Sequence, residues 1–293
     1  MPNIEYLPGL KAGEKIDLDN LPSRRFDKKK ERRPESYLPL LEERLAAMSS
    51  RLSAEYGGFF TESGQIEMAG VSSVDDQLVI DEKETLWAGE KRKDRETWRA
   101  DRHRSAPQIA EMALTVLFDR LLGDDFIVVR ASTYDDYKNG ADQLIIDKHS
   151  GAVICGLDDV LGHIGDDGGR AKEKILADHM ASGGATIKYG LASRDGRLER
   201  KTLRHIPLFF FSLSKQELDE LLKCLESPTP ALTDGAQTTF DKLVNSLDQQ
   251  FGQYRLQADL PRALQDNLDN FGPSLKKMLN HVKTEQYADP VTI

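Results

Sequence analysis

The chain has 293 residues, 39% hydrophobic and 30% charged, a composition that excludes collagen-like, low-complexity and membrane-embedded classes and fits a folded, water-exposed protein. A formal net charge of -9 argues against binding polyanions through overall charge, so any nucleic-acid contact has to come from local basic segments. The longest apolar run, residues 206–211, is too short to span a bilayer. The start lacks a basic stretch followed by an apolar one, which predicts no secretory signal. The two cysteines, Cys155 and Cys224, sit in apolar patterns that predict buried free thiols and a cytoplasmic setting.

In chain order, residues 1–35 are polar and end in the run RRFDKKKERRP. This predicts a flexible basic arm. Arg24, Arg25, Lys28, Lys29 and Lys30 on it are candidate phosphate contacts, with a solvated tail as the alternative. A helical N-terminal region over 36–104 follows. Leu38, Leu41, Leu45, Met48 and Leu52 recur at three and four residues, the spacing of one helix face, and Gly57-Gly58 ends the helix. Residues 59–85 read as irregular and 86–104 as one charged helix carrying Trp87 and Trp98. Arg92 and Lys93 there are further candidate phosphate contacts. The tryptophans either stack on bases or, the preferred reading, anchor the helix to its own domain.

An α/β core is predicted over 105–225. Pro107 opens a helix that is apolar nearly all round and therefore buried, although it carries Glu111. Phe126 to Val129 form a short apolar run consistent with a central strand. TYDDYKNG reads as a polar turn in which Asp135 and Asp136 either hold an ion or, preferably, cap the turn. A hairpin follows, turning at His149-Ser150-Gly151 with the glycine left-handed. That loop pairs Ile146 with Ile154, Leu144 with Gly156, and Asp142 with Asp158. Directly opposed residues share a face with Cβ atoms about 4.5–5.5 Å apart, so two aspartates placed this way repel unless a cation lies between them. Next come a helix over 170–181, a strand over 186–192, and further strand over 197–211 in which Pro207 demands an edge or a bulge. Ser214 and Glu217 form a capping box for a helix to Leu225. A C-terminal region over 226–293 holds two amphipathic helices, about 238–254 and 258–282.

The order helix with Glu111, strand, strand with Asp142, strand with Asp158, helix, strand resembles the PD-(D/E)XK nuclease superfamily over about residues 105–211. The resemblance implies a restriction-endonuclease-like core, a central mixed sheet flanked by helices. It also implies that Asp142 and Asp158, helped by Glu111, hold Mg²⁺ or Mn²⁺. Such ions take hard oxygen ligands and activate water toward a phosphodiester. The family's lysine, two residues after the second acid, is replaced by Val160. Lys172 or Lys174 on the next helix then has to take its part, with Lys188 behind them, and Ala141 stands in place of the proline, which many members also lack.

The reading is thus a divalent-metal-dependent nuclease with nucleic acid as its partner and no membrane. The alternative is a non-catalytic protein- or nucleic-acid-interaction module on the same fold. The long terminal helices suit docking on a partner or self-association.

Overall fold

The computed structural model describes residues 33–162, 167–194, 197–227 and 232–285. The basic arm, with Arg24, Arg25, Lys28, Lys29 and Lys30, lies outside them. A 3-10 turn, Pro34–Tyr37, leads into α1 (Leu38–Tyr56). Its buried face is Leu41, Leu45, Met48 and Leu52, four of the residues that the spacing selects.

The next stretch departs from expectation. Helix α2 (Val74–Glu90) begins well inside the segment read as irregular, because Ser73 and Asp76 form a reciprocal capping box that satisfies two otherwise orphaned N–H groups. The single charged helix expected over 86–104 is two pieces. Arg92 takes a positive φ of 54°, and α3 (Arg95–His103) restarts from an Asp94 cap.

Helix α4 (Ala106–Leu122) is capped by Ser105 and buried on nearly every side. It lies against the main sheet, where Phe118 stacks on Phe211 at 5.4 Å between ring centres. Covering a phenylalanine of this kind is worth about 1.5–3 kcal/mol. The sheet contains β1 (Phe126–Arg130), β2 (Gln143–Asp147), β3 (Val153–Leu161) and β6 (Leu208–Leu213) in the order β1-β2-β3-β6. The first three form an antiparallel meander, and β6 runs parallel to β3. The sheet is therefore mixed, as expected, but β1 is an edge strand and not a central one. It is buried all the same: Gln65 bridges to Arg130 alongside it, and helices cover its faces.

The polar turn after β1 is helical. Ser132 caps α5 (Thr133–Asn139), and Gly140 ends it at φ 68°, a left-handed cap that costs glycine no Cβ clash. The β2–β3 hairpin keeps the expected pairing at its open end, Leu144 with Gly156 and Gln143 with Leu157. Near the turn, Ile146 pairs with Val153 and not Ile154, because the register slips between Ile145 and Ile146. Gly151 is left-handed at φ 67°, as the turn chemistry requires.

The crossover from β3 to β6 carries α6 (Asp167–Ala181) and a separate hairpin, β4 (Ala185–Arg194) with β5 (Arg197–Ile206). Pro207 ends β5, and the chain leaves the hairpin for the main sheet, with His205 at φ 61°. The break expected at this proline is a change of sheet. Helices α7 (Lys215–Leu225), α8 (Asp234–Arg255) and α9 (Arg262–Glu285) complete the described fold. The α7 capping box is present, and α8 and α9 begin four residues away from their expected starts. Among the described residues, no helix is long and apolar enough to cross a membrane.

Candidate functional site: a carboxylate pocket joined to an arginine cleft

Glu111 projects from a helix that is otherwise core and is only 6% exposed. A buried carboxylate needs a paired cation and filled lone pairs. Arg130, the last residue of β1, supplies an Nε–H bond at 2.7 Å, and Gln108 donates a second at 2.7 Å. Arg130 also donates to the Ser63 carbonyl at 3.3 Å, which ties the loop before α2 to the edge of the sheet.

Asp142 immediately precedes β2. Its N–H donates to the Leu157 carbonyl at 2.8 Å, and its carboxylate accepts the Asp159 N–H at 2.7 Å. The pairing of neighbouring residues continues to place Asp142 opposite Asp158. Alternation along β3, however, sends successive side chains to opposite faces. It is Asp159 that shares the face of Gln143 and accepts its amide at 2.8 Å. The same amide reaches the Glu111 carbonyl at 3.0 Å, so one glutamine fastens α4, β2 and β3 around the acids.

Glu111, Asp136, Asp142 and Asp159 line one cavity of about 160 Å³. Asp158 is buried but is not among the lining residues. Asp136, on α5, accepts from Arg102 of α3 at 2.8 Å. Burial is the largest influence on Asp136; with repulsion from Glu111 it outweighs the attraction of Arg102 and Arg130 and pushes the carboxyl up to about 6. Asp142 is raised well above the usual carboxylate range, by burial first and then by the charges of Asp136, Glu111, Asp158 and Asp159.

A second cavity of about 200 Å³ opens beside the first and shares Arg102, Gln108 and Asp136 with it. Arg99, Arg130, Trp98 and Tyr137 contribute to its walls. Each of its arginines is paired with a carboxylate, and one of those carboxylates, Asp136, lines the cavity as well. Arg99 bonds to the buried Glu84, Arg102 to Asp136 and Arg130 to Glu111. Glu84 also takes Arg95 at 3.2 Å and Tyr137 at 3.3 Å.

The remaining expected residues fall elsewhere. Lys174 pairs with Asp178 at 2.9 Å with its side chain 77% exposed. The side chains of Lys172 and Val160 lie outside the described residues. Lys188 is drawn to Asp76, at 2.6 Å and 2.7 Å from its two oxygens. Lys93 pairs with Asp101, and Arg92 sits in the exposed turn between α2 and α3. The cap expected of Asp135 is made by Ser132, and Asp135 lies inside the helix with its carboxylate turned to other partners. It bonds the Ser132 hydroxyl and accepts the backbone N–H groups of Lys188 and Tyr189 at 2.7 Å and 2.9 Å. Asp136, its neighbour, is the one in the pocket.

Sequence reasoning passed over Arg102, Arg130, Asp159 and Gln143. Strand alternation from Gln143 carries a signal for Asp159, and Arg130 stands out as the one charge closing the run FIVVR. Among the described residues, no three His, Cys, Asp or Glu side chains are gathered closely enough to hold a metal ion as they stand. No protein-family model, curated protein or solved structure matches the chain.

Proposed function

We propose that this chain is a divalent-metal-dependent nuclease whose core is of the restriction-endonuclease-like kind, with Asp142 and Asp159 as its metal ligands. The observation that carries this reading is the joined pair of cavities, one lined by four carboxylates and the other by three arginines. Carboxylates that can hold a metal beside cations that can meet phosphate charge are a combination phosphodiester hydrolysis can use. The mixed sheet, with helix α4 presenting Glu111 beside it, agrees with the family resemblance.

The donor set suits Mg²⁺ or Mn²⁺, which are held by one or two carboxylates with water and substrate phosphate making up the rest. Three protein carboxylates are therefore not required, and Glu111 keeps its role in fixing Arg130. A bound ion would lower the pKa of its water and polarise the phosphoryl oxygen. The chain's own residues supply the remainder: Gln143 orients Asp159, the Asp159 N–H fixes Asp142, and Arg102 and Arg130 stand where phosphate charge has to be met. Asp159 replaces Asp158 in the proposed ligand pair because only Asp159 faces the cavity.

A second reading is a non-catalytic nucleic-acid-binding module. One observation favours it: no lysine lines either cavity among the described residues, so the lysine of the family pattern has no counterpart there. Calorimetric titration with Mn²⁺, followed by a cleavage assay on DNA and RNA, separates the two. The nuclease reading expects binding heat and cleavage that are both lost in Asp142→Asn and Asp159→Asn and kept in Asp158→Asn. Mn²⁺ binding without cleavage favours the second reading, and binding that is unchanged in both ligand variants refutes the assignment of the site.

A further inference from the structure

We infer that the arginine cleft is a subsite for one phosphate of a single-stranded nucleic acid, with Trp98 on its wall as the ring for an unstacked base. This rests on the nuclease reading and specifies its substrate. Three observations support it.

The first is preorganisation. Arg99 and Arg130 each give part of their donor set to a carboxylate that does not line the cleft, Glu84 and Glu111, and Arg102 gives part of its set to Asp136 on the cleft wall. Among the described residues, Arg99 Nη1, Arg102 Nη1 and Arg130 Nη2 make no hydrogen bond. The forks are thus fixed in place and still have N–H groups to give. Guanidinium forks match phosphate oxygens better than an ammonium does, and orienting them beforehand removes most of the ordering cost of binding.

The second is the aromatic wall. Arg102 lies over the Tyr137 ring, 4.5 Å from its centre, and 5.7 Å from the centre of the Trp98 ring, so Tyr137 steadies the guanidinium and Trp98 stands beside it on the wall. Stacking of a base on an aromatic side chain is worth about 1–3 kcal/mol and needs a base whose face is free. A base inside a duplex already has both faces covered.

The third is size and position. The cleft encloses about 200 Å³, and a base stacked inside a duplex cannot turn a face to its aromatic wall. It shares Arg102, Gln108 and Asp136 with the carboxylate pocket, so a strand seated in it delivers its neighbouring phosphodiester to Asp142 and Asp159.

The test uses the full chain in chelator, without metal. Trp87 and Trp98 are the two tryptophans of the sequence, with ring centres 5.7 Å apart, so intrinsic fluorescence reports on this cleft directly. An oligothymidylate, which is itself nearly non-fluorescent, is titrated at several salt concentrations. A blunt duplex of equal length and inorganic phosphate are titrated in parallel.

The inference expects a saturable change in emission with the single strand, weakened by salt, and at least tenfold weaker binding of the duplex. It also expects at least a tenfold loss in Arg99→Gln, whose partner Glu84 keeps Arg95, and a similar loss in Arg102→Gln. Equal affinity for duplex and single strand overturns it, as does unchanged affinity in a folded Arg99→Gln variant. Inorganic phosphate binding as tightly as the strand would mark a simple anion site and overturn the nucleic-acid assignment. Loss of Mn²⁺ binding and loss of strand binding are read separately, so failure of the metal reading and failure of this one are distinguishable.

Discussion

Asp76 offers the sharpest test of how α2 is held against the β4–β5 hairpin. It is 3% exposed and sits in the first turn of α2, the helix that carries Glu84 and Trp87. Its carboxylate takes Lys188 at 2.6 Å and 2.7 Å, the Tyr189 hydroxyl at 2.6 Å and the Ser73 hydroxyl at 2.7 Å. Burial opposes its charge, but these hydrogen bonds outweigh burial and hold the carboxyl at about 2, against 3.8 in an unfolded chain.

A depressed carboxyl binds fewer protons folded than unfolded. Its stabilisation is complete above the unfolded value and is lost as pH falls through the folded one. The difference corresponds to about 2 kcal/mol at neutral pH, of which about half is gone by pH 3. Lys188 is 41% exposed, so water screens part of its attraction and the figure is an upper one. Asp76→Asn should therefore lower stability at pH 7 by about 1–2 kcal/mol, measured by urea denaturation. The gap from the parent should narrow steadily between pH 5 and pH 3. A variant as stable as the parent at pH 7, or a gap that widens as pH falls, would refute the reasoning.

Two further predictions concern the site's frame. Arg130→Met strands the buried Glu111 carboxylate and should cost about 3–5 kcal/mol, whereas the double variant with Glu111→Met should recover most of the loss. A single variant no less stable than the double one, by the same denaturation assay, would contradict the pairing. A Cβ at Gly156 would lie 2.6 Å from Leu208 Cδ2, so Gly156→Ala should destabilise by about 1–3 kcal/mol through overpacking between β3 and β6. A neutral result in thermal unfolding would contradict the tight packing of Leu208 on Gly156.

The helices and the hairpin were legible because their signals are local. The α1 stripe, the Ser214–Glu217 box and the Gly151 turn each depend on residues within a few positions of one another. The register expected at the open end of the hairpin is met only because the slip between Ile145 and Ile146 offsets a one-residue difference beside the turn, where Ile146 pairs with Val153. Misreadings came where a cap was overlooked, at Ser73 for α2 and Ser132 for α5, or where a partner is distant in sequence. Arg102 reaches Asp136 and Arg130 reaches Glu111 only in the folded chain, and neither separation produces a periodic pattern. The choice between Asp158 and Asp159 turned on which residue shares a face with Gln143. Asp142 stands just outside its strand, where alternation no longer fixes its side chain, so counting opposite pairs selected the wrong neighbour for the cavity.

The most direct measurement of the central claim is anomalous scattering from crystals soaked in Mn²⁺. The account predicts a peak between the Asp142 and Asp159 carboxylates, within reach of both, with Arg130 still bonded to Glu111. Mn²⁺ elsewhere, or a carboxylate pocket that stays free of metal at saturating concentration, would contradict it.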